Sequence, residues 1–375
     1  MHSGQVGEHM KFELSRDQLL KPVQAVAGVV ERRQTMPVLA NLQITAEEDR
    51  LTFTGTDLEV ELVAEGTAVV GGGGEITVPG RKLLDICKAL PEEAEIQAEL
   101  KGERMQLKSG RSRFTLSTLP AAEFPVVEDI QVQSRFEIPQ GTLKGLVEQT
   151  QFSMAQQDVR YYLNGLLLEV DDNRLRAVAT DGHRLALSER EVALSEVGSH
   201  RVILPRKGVL ELQKLLSDED KPVEVALGTN HLQVRVEGLK FTSKLIDGRF
   251  PDYDRVIPRA GEKVVEADRQ VLREALQRAS ILSNEKYRGV RLELAPNTLK
   301  IQAHNPEQEE AEEEVQVSFD GEGMEIGFNV TYLLEALQAL DSETVRIDLI
   351  DSNSSCLIRD PAREETKYVV MPMRL

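Results

Sequence analysis

Apolar and polar residues alternate over many short runs of the chain, as in Leu51-Thr52-Phe53-Thr54 and Leu232-Gln233-Val234-Arg235-Val236. A period of two places the apolar side chains on one face, which predicts half-buried antiparallel strand. Six stretches change to a helical period. The first opens at Ser15, with Gln18 three residues on as a capping box, and continues through Leu19, Leu20, Val23, Val26 and Val30. Counterparts are predicted over 141–154 and 268–282. A second set covers 82–90, 207–216 and 330–340, the last with Asn329 as N-cap. Helix pairs packed on antiparallel sheet make an α+β fold.

The pattern repeats. RLTFTGTDLEVEL from Arg50, RLRAVATDGHRLAL from Arg174 and TLKIQAHNPEQEEAEEEV from Thr298 start 124 residues apart each time. ITVPGRKLLDICKAL from Ile76, VILPRKGVLELQKLL from Val202 and IGFNVTYLLEALQAL from Ile326 are spaced by 126 and 124. RMQLKSGRSRFTLSTL, HLQVRVEGLKFTSKLI and SSCLIRDPAREETKYVVMPM close the three units. A period of this length is a small domain, not a solenoid repeat. The chain is expected to hold three similar domains, 10–134, 135–257 and 258–375, with 1–9 as a polar extension outside the fold.

The 375 residues carry 45 Lys and Arg against 63 Asp and Glu, a formal charge of −18. A general basic nucleic-acid coat is excluded. Trp is absent, and 10 Phe with 6 Tyr are too few for a base-stacking platform. No segment reaches the length of an apolar membrane span, and the first residues contain no apolar signal core. Cys87 and Cys356 are far apart in sequence, which excludes a CxxC site and points to a reducing cytoplasm.

Enzyme signatures are missing. There is no phosphate loop, no HExxH and no paired CxxC, so neither metal nor cofactor is expected. Gly71–Gly74 reads as a flexible turn, and Asp171-Asp172-Asn173 as a turn made by residues suited to one. Asp181 and His183, in TDGHRL, are the one candidate acid/base pair and carry the alternative reading of a hydrolase-like enzyme. The first repeat holds Thr56-Asp57 at the same place without a His, which favours a turn required by the fold.

Charge is unevenly distributed. Glu307–Glu314 contains six Glu in eight residues, whereas Lys101–Arg113 is basic through Lys101, Arg104, Lys108, Arg111 and Arg113. Each is either a solvated face or one half of a head-to-tail contact between copies that closes a ring. Glu307, Glu309, Glu310, Glu312 and Glu313 would then face Arg104, Arg111 and Arg113, around an apolar centre of Phe114, Leu116, Ile281 and Leu282. Basic residues also mark the helices: Arg32 and Arg33 after the first, Arg81 and Lys82 opening the second, Lys144 in the third, Arg206 and Lys207 opening the fourth, and Arg269, Arg273 and Arg278 in the fifth. They are solvated faces or a basic lining within an acidic shell.

TGTDLE, FSMAQQDVRYYLNG, VATDGHRLA, FTSKLIDGRFPDY, ILSNEKYRGVRL, NPEQEEAEE and YVVMPMRL carry a resemblance. From Met10 to Leu375 the chain resembles the bacterial sliding clamps, beta subunits of DNA polymerase III, most closely the proteobacterial ones. The resemblance implies a non-enzymatic homodimer whose six domains ring duplex DNA, with helices lining the hole and sheets outside. Its implied partners are double-stranded DNA read without sequence preference, the polymerase III alpha subunit, an ATP-driven clamp loader, and other polymerases, ligase and mismatch-repair proteins that dock by short motifs. Implied DNA contacts fall on Arg33, Arg81, Gln157, Tyr161 and Tyr162, the tyrosines being expected to begin a strand. The implied peptide pocket falls on Leu163, Thr180, Gly182, His183, Arg184, Leu185, Pro251, Arg255, Val256, Val369, Met371, Pro372, Met373 and Arg374. Read without the resemblance, 368–373 is a buried last strand.

Overall fold

The computed structural model describes residues 9–31, 35–127, 129–259 and 261–375. The first repeat contains strand β1 (Lys11–Ser15), helix α1 (Arg16–Ala27), β2 (Asn41–Glu47), β3 (Arg50–Thr56), β4 (Val60–Thr67), β5 (Val69–Gly72), β6 (Gly74–Pro79), α2 (Gly80–Ala89), β7 (Glu95–Lys101), β8 (Arg104–Ser109) and β9 (Ser112–Ser117). The second contains β10 (Val132–Pro139), α3 (Gln140–Glu148), β11 (Gly165–Val170), β12 (Arg174–Thr180), β13 (Arg184–Glu191), β14 (His200–Pro205), α4 (Arg206–Leu215), β15 (Pro222–Gly228), β16 (His231–Val236) and β17 (Leu239–Lys244). The third contains β18 (Lys263–Asp268), α5 (Arg269–Ser280), β19 (Gly289–Ala295), β20 (Thr298–His304), β21 (Glu310–Gln316), β22 (Met324–Asn329), α6 (Val330–Ala339), β23 (Thr344–Leu349), β24 (Cys356–Asp360) and β25 (Arg363–Val370). The order of strands and helices is the same in all three, β5 being extra.

Local chemistry accounts for the helix starts. The Ser15 hydroxyl accepts from the Gln18 amide at 3.2 Å, and the Gln18 side chain returns the bond to the Ser15 amide at 2.9 Å. Asp268 and Asn329 cap α5 and α6 through their side-chain oxygens. The helix expected over 141–154 is shorter. It ends at Glu148, and Thr150 turns its hydroxyl back onto the Leu146 carbonyl at 2.6 Å before a 3₁₀ turn at Gln151–Ser153. The glycine run is not a free turn either. Gly72 pairs with Lys11 in one sheet and Gly74 with Ala46 in another, so the run carries the chain between two sheets. A side chain on Gly74 would stand 3.2 Å from the Met10 Cβ. Residue 134 lies inside β10, and residue 257 follows a 3₁₀ turn at Tyr253–Arg255.

The chain packs as two compact units: residues up to Gln140 with Leu210–Leu245, and Gly141–Val209 with Ile246–Leu375. The first unit holds the sheet β5-β1-β7-β8-β9 and the eight-stranded sheet β10-β15-β16-β17-β4-β3-β2-β6. The second holds the eight-stranded sheet β14-β11-β12-β13-β25-β24-β23-β18 and the sheet β21-β20-β19-β22. Each eight-stranded sheet joins four strands of one repeat to four of the next. The joints are β4 on β17 and β13 on β25, both antiparallel. In the second unit one core gathers α5, α6 and both sheets around Leu276, Ile301, Phe328 and Leu337.

Both cysteines are free and buried. Burial lifts the Cys87 thiol to about 11 and the Cys356 thiol to about 12, so neither is a nucleophile near neutrality. A thiol-reactive chromogen at neutral pH should titrate no thiol in the native protein and two after denaturation. Prompt native reaction at either position would contradict the packing described.

Candidate functional site

The β12–β13 turn organises one face of the second unit. The Thr180 hydroxyl donates to the Arg184 carbonyl at 2.7 Å. Asp181 Oδ1 accepts from the amides of His183 and Arg184 at 2.9 and 3.0 Å, and Gly182 takes a left-handed φ of 90°. The β3–β4 turn is built the same way. Thr56 donates to the Val60 carbonyl at 3.0 Å, Asp57 Oδ1 accepts from Glu59 and Val60 at 2.9 and 2.7 Å, and Leu58 has a φ of 80°. Thr-Asp is thus a turn motif of the repeat. The carboxylate of Asp181 is occupied by two amides and by Arg184 Nε at 3.2 Å, so the hydrolase-like pairing of Asp181 with His183 is not formed.

Beside the turn lies an apolar cluster. Leu163, Leu185 and Val369 are buried in it with Leu167, Val178, Phe250, Tyr253 and Leu357, and Tyr162 packs at its margin. The amide of Met371 donates to the His183 carbonyl at 3.0 Å and ties the end of β25 to the turn. Val256 and Met371 are close to half exposed, Pro251 and His183 are exposed, and Pro372 is half-buried. These groups form an apolar floor with an open, adaptable rim. Arg255 is exposed and pairs with Asp252 at 3.0 Å. The guanidinium of Arg184 meets Glu335 at 3.1 Å, the Phe152 carbonyl at 2.9 Å and the face of Tyr332 at 4.3 Å, so it braces the turn against α6. Strand β25 stops at Val370, short of the expected 373. Met373 and Arg374 continue to β22, where the Met373 amide donates to the Gly327 carbonyl at 2.7 Å.

Four residues that sequence reasoning missed hold the floor in place. The Tyr253 hydroxyl donates to Glu169 and accepts from Arg176 at 2.7 Å, while Arg176 also pairs with Glu189 at 2.6 Å. Burial, reinforced by the bond to Glu169, pushes the Tyr253 hydroxyl up to about 12, so it remains a donor. The conspicuous FPDY segment was the available signal; its partners are 84 and 77 residues distant in sequence.

The residues implied as DNA contacts are distributed between the units. Arg33 lies outside the described residues. Arg81 is exposed on α2, with one guanidinium nitrogen donating to the Val30 carbonyl at 3.2 Å. Gln157 sits in an exposed loop with a φ of 55°. Tyr161 and Tyr162 do not begin a strand. They form a 3₁₀ turn, Tyr161–Leu163, because the amides of Leu163 and Asn164 bond back to Arg160 and Tyr161, and the strand starts only at Gly165. Tyr161 is 56% exposed and its ring meets Tyr162 edge-on at 5.6 Å. Several helical cations are engaged within the chain: Lys144 by Glu148, Arg269 by the carbonyls of Leu337 and Ser342, Arg273 by Gln338 and Arg278 by Glu313.

Each of the two charged stretches runs into an edge strand. Strand β9 ends one sheet and β21 ends another. On β9, Phe114 and Leu116 share the inner face, and Arg113 lies on the other with Thr115. Arg104, Arg111 and Arg113 are exposed. On β21, Ala311, Glu313 and Val315 share one face and Glu310, Glu312 and Glu314 the other. Glu312 pairs with Lys300 at 3.6 Å and Glu309 with the Asn305 side chain at 3.0 Å, while Glu307 is exposed. Ile281, just past α5, is 76% exposed, and Leu282 is half-buried.

Asp181→Ala should lower stability by about 1–3 kcal/mol, because two turn amides lose their acceptor. His183→Ala should stay within about 0.5 kcal/mol. Denaturant midpoints of the two variants measure the difference, and equal midpoints would contradict the turn assignment.

Comparison with known proteins agrees with this geometry. Family models of the DNA polymerase III beta subunit match in chain order: the N-terminal domain over residues 10–128, the central domain over 137–252 and the C-terminal domain over 254–374. The beta sliding clamp of Pseudomonas aeruginosa is 56% identical over 369 residues, covering 98% of this chain and 100% of the relative. That of Escherichia coli K12 is 54% identical over 367 residues with the same coverage. A crystal structure of the Pseudomonas aeruginosa DNA polymerase sliding clamp superposes with a TM-score of 0.94 at 55% identity, covering 98% and 100% of the two chains. The Caulobacter crescentus beta sliding clamp gives 0.94 at 39% identity, covering 98% and 99%. Three clamp domains in tandem, joined edge to edge through β4–β17 and β13–β25, place this chain in the family of beta sliding clamps.

Proposed function

We propose that two copies of this chain close a ring around duplex DNA and tether the replicative polymerase to it. The observation that carries the reading is the pair of open edges. Strand β9 holds the place in the first repeat that β17 and β25 hold in the others, and β21 holds the place of β4 and β13. Two such edges join inside the chain; the third pair is left for another copy, and a head-to-tail contact of this kind closes rings.

The repeat also supplies a register. Leu62 faces Phe241 at one joint and Ala186 faces Tyr368 at the other. On their own sheets Leu62 and Ala186 pair with Gly55 and Ala179, and the residue 124 further on, Ala303, pairs with Ala311. The alignment of RFTL with KFTS puts Phe114 in the place of Phe241. Phe114 then faces Ala311 of the second copy, and Arg113 faces Glu312 with Glu310 on the diagonal. Ile281 and Leu282 flank this contact as its apolar part.

A topological link needs no tight grip on DNA. Arg33, Arg81, Gln157, Tyr161 and Tyr162 then serve as weak, exchangeable backbone contacts, which permits sliding and gives no sequence readout. The apolar floor with its Met371 rim takes short segments of the polymerase alpha subunit, the clamp loader and other repair and replication proteins in turn. The chain acts as a processivity factor in the cytoplasm and leaves the chemistry, including ATP-driven loading, to its partners. Its domains follow the three repeats, with the boundary expected at 134 moved ahead of β10 at Val132 and the second kept near 257.

Arg113→Glu should weaken the dimer by about tenfold or more, since each of two contacts loses an opposite-charge pair and gains a like-charge one. Adding Glu310→Lys and Glu312→Lys should restore it. Sedimentation across a dilution series reads both, and an unchanged dimer in Arg113→Glu would remove β9 from the interface.

A further inference from the structure

A second recess lies on the third repeat, next to the residues that follow β25. It is a cleft of about 490 Å³ between the β19–β20 face and the last residues of the chain. Arg291, Arg374 and His304 line it together with Gln302, Tyr287 and Met373, and no Asp or Glu is among its lining residues. Carboxylates adjoin it on β21, where Glu310 and Glu312 stand opposite His304 and Gln302, and in the proposed ring these two face Arg113 of the second copy. Neither arginine has a carboxylate partner among the described residues, so their donors are open to a ligand. The wall is fixed. Met373 is bridged to Gly327, and Leu375 lies so close over Gly289 and Gly327 that a Cβ on either would stand 2.7 or 2.6 Å from it.

We propose that this cleft binds an acidic segment of a partner protein, next to the segment held by the apolar floor. This inference rests on the peptide-docking reading above. Charge complementarity selects carboxylates, and the planar guanidinium of Arg291 suits their two oxygens. Continuity along the chain selects a partner already docked nearby: Met371 is tied to His183 beside the floor, and two residues later Met373 enters the cleft wall. A peptide leaving the Met371 rim along this segment reaches Arg374 and Arg291 next. The cleft thereby distinguishes among partners by the acidity of the sequence flanking their apolar anchor.

The test uses the full chain at about 0.15 M salt, where exposed charges beyond about 8 Å are screened. The probes are fluorescein-labelled hexaglutamate, a thymidine hexanucleotide, and an apolar tetrapeptide of Leu and Phe extended on either side by triglutamate or triglycine. Hexaglutamate should bind saturably, and Arg291→Gln with His304→Gln should weaken it by about fivefold or more. A triglutamate extension on one side should tighten the apolar peptide in the parent and not in the variant, while the triglycine forms bind both alike. Absence of saturable hexaglutamate binding, equal binding by the variant, or equal or tighter binding of the hexanucleotide would overturn the proposal. So would a loss of hexaglutamate binding that tracks loss of the dimer in sedimentation. Failure of the triglycine peptide to bind, with hexaglutamate binding intact and lost in the variant, would remove the apolar site and leave the acidic one standing.

Discussion

Backbone hydrogen bonding between the edge strands of neighbouring repeats is the constraint on which this architecture depends. A sheet edge presents unpaired amides and carbonyls and will take another strand. Here the edge is used constructively: β4 accepts β17 and β13 accepts β25, so sheets run without interruption from one repeat into the next. Only a strand of matching register and face can make that joint, because a one-residue slip would turn Phe241 or Tyr368 out of the core. The same geometry leaves β9 and β21 as complementary edges, one with an arginine on its outer face and the other with a row of glutamates.

Such closure resolves an apparent conflict in the charge. A protein of net charge −18 gains no long-range attraction to DNA from its overall charge, and tight binding by affinity would need a dense, locally basic surface. Enclosure removes that requirement. Of the cations that the helices carry, several are held within the chain, as Arg269 is by two carbonyls and Arg278 by Glu313. What remains suits brief phosphate contact. The apolar floor beside the β12–β13 turn follows a different logic, with Tyr253, Arg176 and Glu169 bonded to one another beneath exposed Met371 and Val256.

Much of this was legible in the sequence because it depends on period and spacing. The alternation at 51–54 and 232–236, the Ser15–Gln18 box and the 124-residue repeat gave strands, caps and tandem domains directly. The two charged stretches were visible as charge, while the edge positions of β9 and β21 emerge only from the sheet order. What escaped depends on neighbours remote in sequence. Tyr161 and Tyr162 look like strand residues but close a 3₁₀ turn, because the Leu163 and Asn164 amides find carbonyls three residues back. The Gly71–Gly74 run looks like a loop, yet it carries paired residues across two sheets. Asp181 beside His183 resembles an acid/base pair until the amides that occupy its carboxylate are seen. The brace on Tyr253 comes from strands about 80 residues away, which no local pattern encodes.

The most direct test of the central claim is retention on DNA before and after cutting. The protein is loaded onto a nicked circle by a clamp loader with ATP, and the circle is then linearised. A closed ring predicts that the protein remains on the circle and is lost from the linear form at the ends. Retention on linear DNA with free ends would show that affinity holds it there, and would contradict both the ring and the explanation of the acidic charge.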